Sequence, residues 1–529
     1  MGGGDFNPHY FEYPSLYMYF MLFNYGIYFL IGKLFGIFHT ANEFAQLYIK
    51  NPTSFHMIGR LWETIFNLGI ILTIYSIAKK IFTQRTAWIA IFFLAILPSA
   101  VNTGHVTKGD MSVIFLGILF WWMTYKIYET GESKYYYFAG ALLGLAFSTK
   151  YYIAMIGITL PVAHFLRRPI KSIQPLILAF ILIPLFFAIG TPYCFTQEFI
   201  IAFKEIFLGF NTQAADYWGT FHHRPFPIRL LLALKKISMM AEDQAGHFIG
   251  GTGLGILGIV GLIWMVLQKN SLRWFFIAPA IAFWIVVAAY FSPTAGYVAP
   301  LFPFLILTAA YLIDSMIDLF FTKKKYLISI PILIFTLFAF ISAADETLVI
   351  SYRYTLKDTR TSAKEWIEKN IPFGTKILMD MIPYSPPLEM TYSQLKKFTE
   401  IAEKTNHYKK DFFKLKLEIT PPTLSGYEIF LIKKSAGEIG SLPDMTEQVQ
   451  KTQDLFEIQG MNLQEELANL KKYNIEYLIT NGAAEMDAIG KIPRLEKFYG
   501  ELKSQLKPIK EFNPPSKHNF CPIIKIYKI

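Results

Sequence analysis

The sequence is poor in charge and in cysteine. Only 17% of its 529 residues are Asp, Glu, Lys or Arg, and just two are cysteines, Cys194 and Cys521. Two cysteines build neither a disulfide framework nor a thiolate metal cluster. The opening "MGGGDFNPHYFEYPSLYMYF" shows no basic region followed by a short apolar core ending in small residues, so no cleavable signal peptide is expected in it and it reads as a loop.

What is abundant is apolar: 53% of residues are hydrophobic, 17% aromatic, and the mean hydropathy is +0.34. This is a membrane composition. The formal net charge of +11 is uneven, with 23 Lys/Arg against 14 Asp/Glu in residues 1–343 and 27 against 25 in residues 344–529. The excess lies in the apolar half, where cytoplasmic loops of a multi-pass protein gather Lys and Arg. The charge is thus accounted for without a nucleic-acid partner.

Ten stretches approach the roughly 20 apolar residues that a crossing needs: 56–79, 86–103, 111–128, 135–149, 152–166, 172–190, 249–267, 274–291, 297–319 and 326–343. Leu16 to Phe38 is an eleventh, and by length alone it also spans. Every second connection is basic: "KKIFTQR", "KIYETGESK", "RRPIK", "QKNSLR" and "KKK". These five are expected on the cytoplasmic side. The alternate connections then face outward: "GHVTKGD" (104–110), the "STKYY" hairpin, residues 191–248, "SPTAGY" and everything after Ala343.

The outer segment 191–248 is too long for a simple connection and contains amphipathic stretches suited to the membrane interface. It also gathers Asp216, His222, His223, Arg224, Lys235, Lys236, Asp243 and His247. Residues 344–529 have the alternating charged helices and short apolar strands of an extracytoplasmic α/β or α+β domain, with no phosphate loop, paired metal motif or nucleophile elbow.

Ionisable groups at membrane depth are costly and mark candidate sites. Asp110 opens a span, where a carboxylate also serves as an ordinary N-cap or first-turn acid. Lys150 follows a span too short to leave it far from the hydrocarbon, and it either snorkels or seats a lipid phosphate. Glu63 lies one turn from Arg60, a spacing that allows an intrahelical ion pair.

The order and spacing of "NPHYFEYPSLYMYF", "GHVTKGDMSVIFLGIL", "STKYYIAM", "TPYCF" and "YVAPLFPFLILTAAYL" resemble the GT-C superfamily of membrane glycosyltransferases, in the branch of the protein O-mannosyltransferases and the aminoarabinose transferase. The resemblance covers roughly residues 5–343. It implies a polytopic helical domain (1–343) whose outer loop and juxtamembrane helices occupy 1–55, followed by the extracytoplasmic domain 344–529. It also places Leu16 to Phe38 along the outer face of the cell membrane rather than across it.

The implied activity is inverting transfer of a sugar from a polyprenyl-phosphate donor to a glycan, lipid or protein acceptor. A carboxylate deprotonates the acceptor while cations stabilise the departing phosphate. Asp110 matches the family's second-loop acid and Lys150 its threonine-lysine turn. His105, Lys108, Tyr151, Glu12, His222 and Arg224 are the candidate substrate-binding residues on the same rim. No metal ligand set is assigned, although a divalent metal fits the family's chemistry.

Family members carry a first span and an Asp/Glu pair upstream of the "NPHYFEYP" segment, so the resemblance implies a preceding helix and acid that this sequence lacks. Tyr13 stands where some relatives have a phosphate-binding lysine, and Gly296 where an arginine often stands. A lipid-linked sugar transporter or an inactive membrane anchor are the alternatives. A transporter is expected to carry polar groups or broken helices near the midplane.

Overall fold

The computed structural model describes all residues except 1–4, 168–171, 205–224, 240–248, 291–297, 381–383, 408, 424–425, 433–461, 464–466, 483–484, 486–492 and 515–520. The chain divides into two compact units, one of residues 1–39 with 51–351 and one of residues 40–50 with 352–529.

In the first unit each of the ten apolar stretches is helical. The helices are α1 (Leu16–Leu34), then α3 (Thr53–Ile81), α4 (Gln84–Ala95), α5 (Pro98–Gly104), α6 (Asp110–Thr130) and α7 (Ser133–Phe147). After a 3-10 segment (Tyr151–Ile158) come α8 (Thr159–Leu166), α9 (Gln174–Gly190), α10 (Gln197–Lys204), α11 (Phe226–Met239), α12 (Ile249–Leu267), α13 (Arg273–Tyr290), α14 (Phe302–Phe321) and α15 (Tyr326–Arg353). Helix α2 (Ala41–Lys50) falls in the second unit.

By length and composition, four described segments can cross a membrane: α3, α6, 299–321 and α15. The pair α4–α5 makes a fifth, bent by 55°. The bend has a local cause. Pro98 opens α5, and the residue before it, Leu97, is held extended at φ −71° and ψ 114°. Helix α1 is not among the segments apolar enough to cross, because tyrosines, Asn24 and Lys33 interrupt its leucines and phenylalanines.

Close packing between helices depends on small residues, since lipid offers no hydrophobic drive to associate. In α7, Gly140 and Gly144 face the backbone of α9. A Cβ at Gly140 would lie 2.5 Å from the Ala179 carbonyl oxygen. Further in, Trp121 is fully buried between Phe276 and Phe304, and its indole N–H donates to the Phe275 carbonyl at 3.2 Å.

Three of the basic connections, those after α3, α6 and α12, meet at one end. Lys80 pairs with Glu129 at 2.9 Å, Arg85 pairs with Asp314, and Tyr128 meets Phe275 edge-on at 5.3 Å between ring centres. The polar loops around Asp110, Lys150 and Thr191 come together in a separate cluster.

The second unit is a six-stranded sheet of order β3-β2-β1-β4-β6-β5. Its elements after α15 are α16 (Thr359–Asn370), β1 (Lys376–Met379), α17 (Tyr392–Lys404), α18 (Lys410–Ile419) and β2 (Glu428–Ile432). There follow β3 (Asn462–Leu463), α19 (Leu467–Lys472), β4 (Tyr477–Asn481), α20 (Pro493–Gln505), β5 (Lys510–Phe512) and β6 (Ile524–Lys528). Strands β3, β2, β1 and β4 run parallel, whereas β6 and β5 add as antiparallel partners. Alternate strand residues feed two apolar layers: Ile377, Ile429 and Ile479 on one face, Leu378, Phe430 and Leu478 on the other. Burial on both faces is why these strands read as continuous apolar runs.

Candidate active site at the rim of the first unit

The N-terminus of α6 is unusual. Its N-cap is Gly109, in the left-handed region at φ 75°, where an added Cβ would meet the Tyr17 ring at 2.8 Å. Glycine has no side chain to cap with, and Asp110 does not cap either. Instead Glu63 of α3, fully buried, accepts the Gly109 N–H at 3.0 Å on Oε1 and the Met111 N–H at 2.9 Å on Oε2. The ion pair with Arg60 that the spacing allows is not made. Arg60 is exposed.

Asp110 is buried, and its carboxylate faces α7's far end. Lys150 Nζ lies 2.6 Å from Asp110 Oδ1, and the Tyr152 hydroxyl donates to the same oxygen at 3.2 Å. Lys150 does not snorkel, being 6% exposed, and its ammonium sits 4.8 Å from the centre of the Tyr13 ring, a cation–π distance.

Neighbouring motifs fix this lysine. Helix α7 ends at Phe147, and Lys150 is extended at φ −150° before the 3-10 segment. Ser148 shares a hydrogen bond with Thr191 at 2.7 Å, and its carbonyl accepts the Leu16 N–H at 3.0 Å. Below it Phe11, Tyr151, Phe187 and Phe199 form one buried cluster. Three separate motifs, "NPHYFEYPSLYMYF", "STKYY" and "TPYCF", thus meet around one side chain.

The other sequence candidates distribute unevenly. Tyr151 points away from Asp110 and donates to the Phe11 carbonyl at 3.1 Å, so its hydroxyl is used in packing and Tyr152 takes the place expected of it. In a 3-10 turn adjacent side chains diverge by about 120°, which the doublet "YY" could not reveal. His105 bonds back to the Val101 carbonyl at 2.7 Å, Lys108 is exposed, and Glu12 accepts the Tyr10 hydroxyl at 2.6 Å on the exposed surface. Neither of these two hydrogen bonds reaches Asp110 or Lys150. His222 and Arg224 lie outside the described residues.

Beside Met111 and Ile114 of α6, a small cavity of about 20 Å³ lies against Asn67, Leu97, Ser99 and Phe302. It is apolar apart from a few hydroxyl and amide groups. Among the described residues no group of three His, Cys, Asp or Glu side chains is arranged to hold a metal ion.

A second polar cluster ties the N-terminal loop to α10. The His9 ring contacts Asp5 through Nε2 at 2.8 Å and Glu198 through Nδ1 at 2.9 Å. Partial burial alone would lower the His9 pKa, but the hydrogen bonds to Asp5 and Glu198 outweigh it and raise it.

Residues 49–190 match the family model described as dolichyl-phosphate-mannose-protein mannosyltransferase. No curated protein matches. Among solved structures, the oligosaccharyltransferase of Archaeoglobus fulgidus, in complex with zinc and sulfate, is 14% identical with a TM-score of 0.44, covering 92% of this chain and 62% of its own. ArnT from Cupriavidus metallidurans bound to undecaprenyl phosphate is 12% identical with a TM-score of 0.41, covering 89% and 83%. The arabinofuranosyltransferase AftD from Mycobacteria is 13% identical with a TM-score of 0.32, covering 95% and 35%. The chain thus spans under two thirds of the oligosaccharyltransferase. The matched family and these three proteins are GT-C superfamily glycosyltransferases, the class that the sequence resembles.

Proposed function

We propose that this protein is a multi-pass membrane glycosyltransferase that takes a sugar from a polyprenyl-phosphate donor and passes it, with inversion, to an acceptor at the outer face of the cell membrane. The reading is carried by the buried Asp110–Lys150 pair. A carboxylate and an ammonium with so little exposure are expensive to keep. They are also the two groups the chemistry requires.

Lys150 receives the donor phosphate, whose charge it neutralises as the glycosidic bond to phosphate breaks. Phosphate is a good leaving group once paired with a cation, so no general acid is needed. Pairing with phosphate draws Lys150 away from Asp110 and leaves that carboxylate to accept the acceptor's proton as the new bond forms at the anomeric carbon. Tyr152 holds the Asp110 oxygen during the exchange. The match over residues 49–190 makes mannose the first sugar to test.

In this arrangement the basic connections face the cytoplasm, and the 104–110 loop and the α/β unit face outward. His105, Lys108, Glu12, His222 and Arg224 are proposed to contact sugar or acceptor from the rim.

The test is transfer of radiolabelled sugar from polyprenyl-phosphate mannose, and then from other polyprenyl-phosphate sugars, by the purified protein in lipid. Wild type is expected to transfer, with Asp110→Asn slower by about 10²-fold or more. Equal transfer by the variant removes Asp110 from the mechanism. A wild type inactive with every such donor points to transport or anchoring.

A further inference from the structure

We propose that Glu63 is the positioning residue for Asp110: it caps α6 from a different helix, so that the one acid at that terminus is not consumed as a cap and stays aimed at Lys150. The inference rests on the catalytic role proposed for Asp110.

The first turn of a helix exposes N–H groups that need acceptors, and the usual acceptor is an Asp, Asn, Ser or Thr side chain at the N-cap itself. Here the N-cap is Gly109, and α6 receives no cap from its own side chains. Asp110, the next residue, would otherwise be the nearest carboxylate to the positive end of the helix. Glu63 takes that role. Its two oxygens accept the N–H groups of Gly109 and Met111, which flank Asp110 on either side. Ser112 completes the hold by donating its hydroxyl to the Gly109 carbonyl at 2.8 Å. The backbone of Asp110 is thereby fixed, while its side chain takes no part in the fixing.

An independent feature of α3 serves the same end. One turn before Glu63, Gly59 lies against Thr107, so close that any Cβ there would collide with the threonine side chain. The Thr107 hydroxyl donates to the His56 carbonyl at 3.4 Å. Successive turns of α3, through His56, Gly59 and Glu63, therefore run along the 104–110 loop and hold it against the helix. Glu63 is fully buried and makes no ion pair among the described residues. A carboxyl group placed so deep is costly unless its hydrogen bonds are needed.

The test compares Glu63→Gln and Glu63→Ala with wild type. Glutamine keeps the volume but offers one acceptor oxygen in place of two, so one N–H is left without a partner. Amide exchange, read by mass spectrometry in the whole protein, should quicken at residues 109–112 in both variants, with the interior of α6 unchanged. In the transfer assay, kcat per folded molecule should fall about tenfold in Glu63→Gln and about 10²-fold in Glu63→Ala, with donor KM unchanged, because a misplaced reacting group costs rate rather than binding. In an Asp110→Asn background, Glu63→Gln should cost nothing further, since it acts only through Asp110.

Unchanged exchange at 109–112, an unchanged kcat, or losses that multiply in the double variant would each overturn the proposal. A wild type that transfers from no polyprenyl donor overturns the functional reading instead, and the exchange measurement then decides alone whether Glu63 is the clamp.

Discussion

Lys150 Nζ and Asp110 Oδ1 are 2.6 Å apart, and the side chains that carry them are 7% and 9% exposed. They are 40 residues apart in sequence and belong to different loops. A pair so buried is held by its geometry more than by a net gain in energy, because the cost of taking two charges out of water consumes most of their attraction. Its energetic signature is asymmetry.

Removing one partner should therefore be worse than removing both. Lys150→Met leaves the Asp110 carboxylate buried without its cation and is expected to destabilise the protein by about 3–5 kcal/mol. Lys150→Met combined with Asp110→Asn should recover most of that loss. Thermal unfolding of the detergent-solubilised protein distinguishes the two.

The tyrosine doublet separates structure from chemistry. Tyr152→Phe removes the 3.2 Å hydrogen bond to Asp110 and should lower transfer by about two- to tenfold, equivalent to the roughly 0.5–1.5 kcal/mol of one such bond. Tyr151→Phe removes a bond to the Phe11 carbonyl and should cost comparable stability with little change in rate. Parallel kinetic and unfolding measurements on the two variants check the assignment, and a larger rate effect at Tyr151 would reverse it.

The His9 strap should loosen as pH rises. The hydrogen bonds of Asp5 and Glu198 hold the folded pKa of His9 above its ordinary value of 6.5. A raised folded pKa contributes stability that is fully present below 6.5 and is lost as pH climbs through the higher folded value. Amide exchange over residues 5–12 is expected to accelerate across that window in wild type. His9→Gln should flatten the dependence.

In the α/β unit, Asp358 caps α16 by accepting the Arg360 N–H at 2.7 Å and its Nε at 2.9 Å. Burial alone would raise its pKa, but the Arg360 hydrogen bonds prevail and lower it below 3.8. Its contribution is thus present above pH 3.8 and lost as pH falls through the folded value. Asp358→Ala should cost about 1 kcal/mol near neutral pH, the typical worth of an N-cap, and less in acid. Chemical denaturation followed at two pH values tests this.

The sequence by itself determined the membrane class and the positions of the helices. Length of apolar run and placement of Lys and Arg respond to the bilayer directly, without reference to any neighbour. That is why each of the ten stretches proved helical over its described residues, and why helices and short apolar strands were visible in the other unit. The sequence also singled out Asp110 and Lys150, because ionisable groups next to hydrocarbon stand out on cost alone.

Only the tertiary structure decided which groups meet. Whether Lys150 snorkels or pairs depends on Asp110, 40 residues away. Whether Tyr151 or Tyr152 reaches the site depends on a 3-10 turn, and whether Glu63 serves Arg60 or the α6 terminus depends on how closely α3 approaches the 104–110 loop. Local spacing favoured the Arg60 pair, since the two are one turn apart. The buried N–H groups of Gly109 and Met111 prevailed, because an unsatisfied donor inside the protein costs more than an exposed ion pair returns.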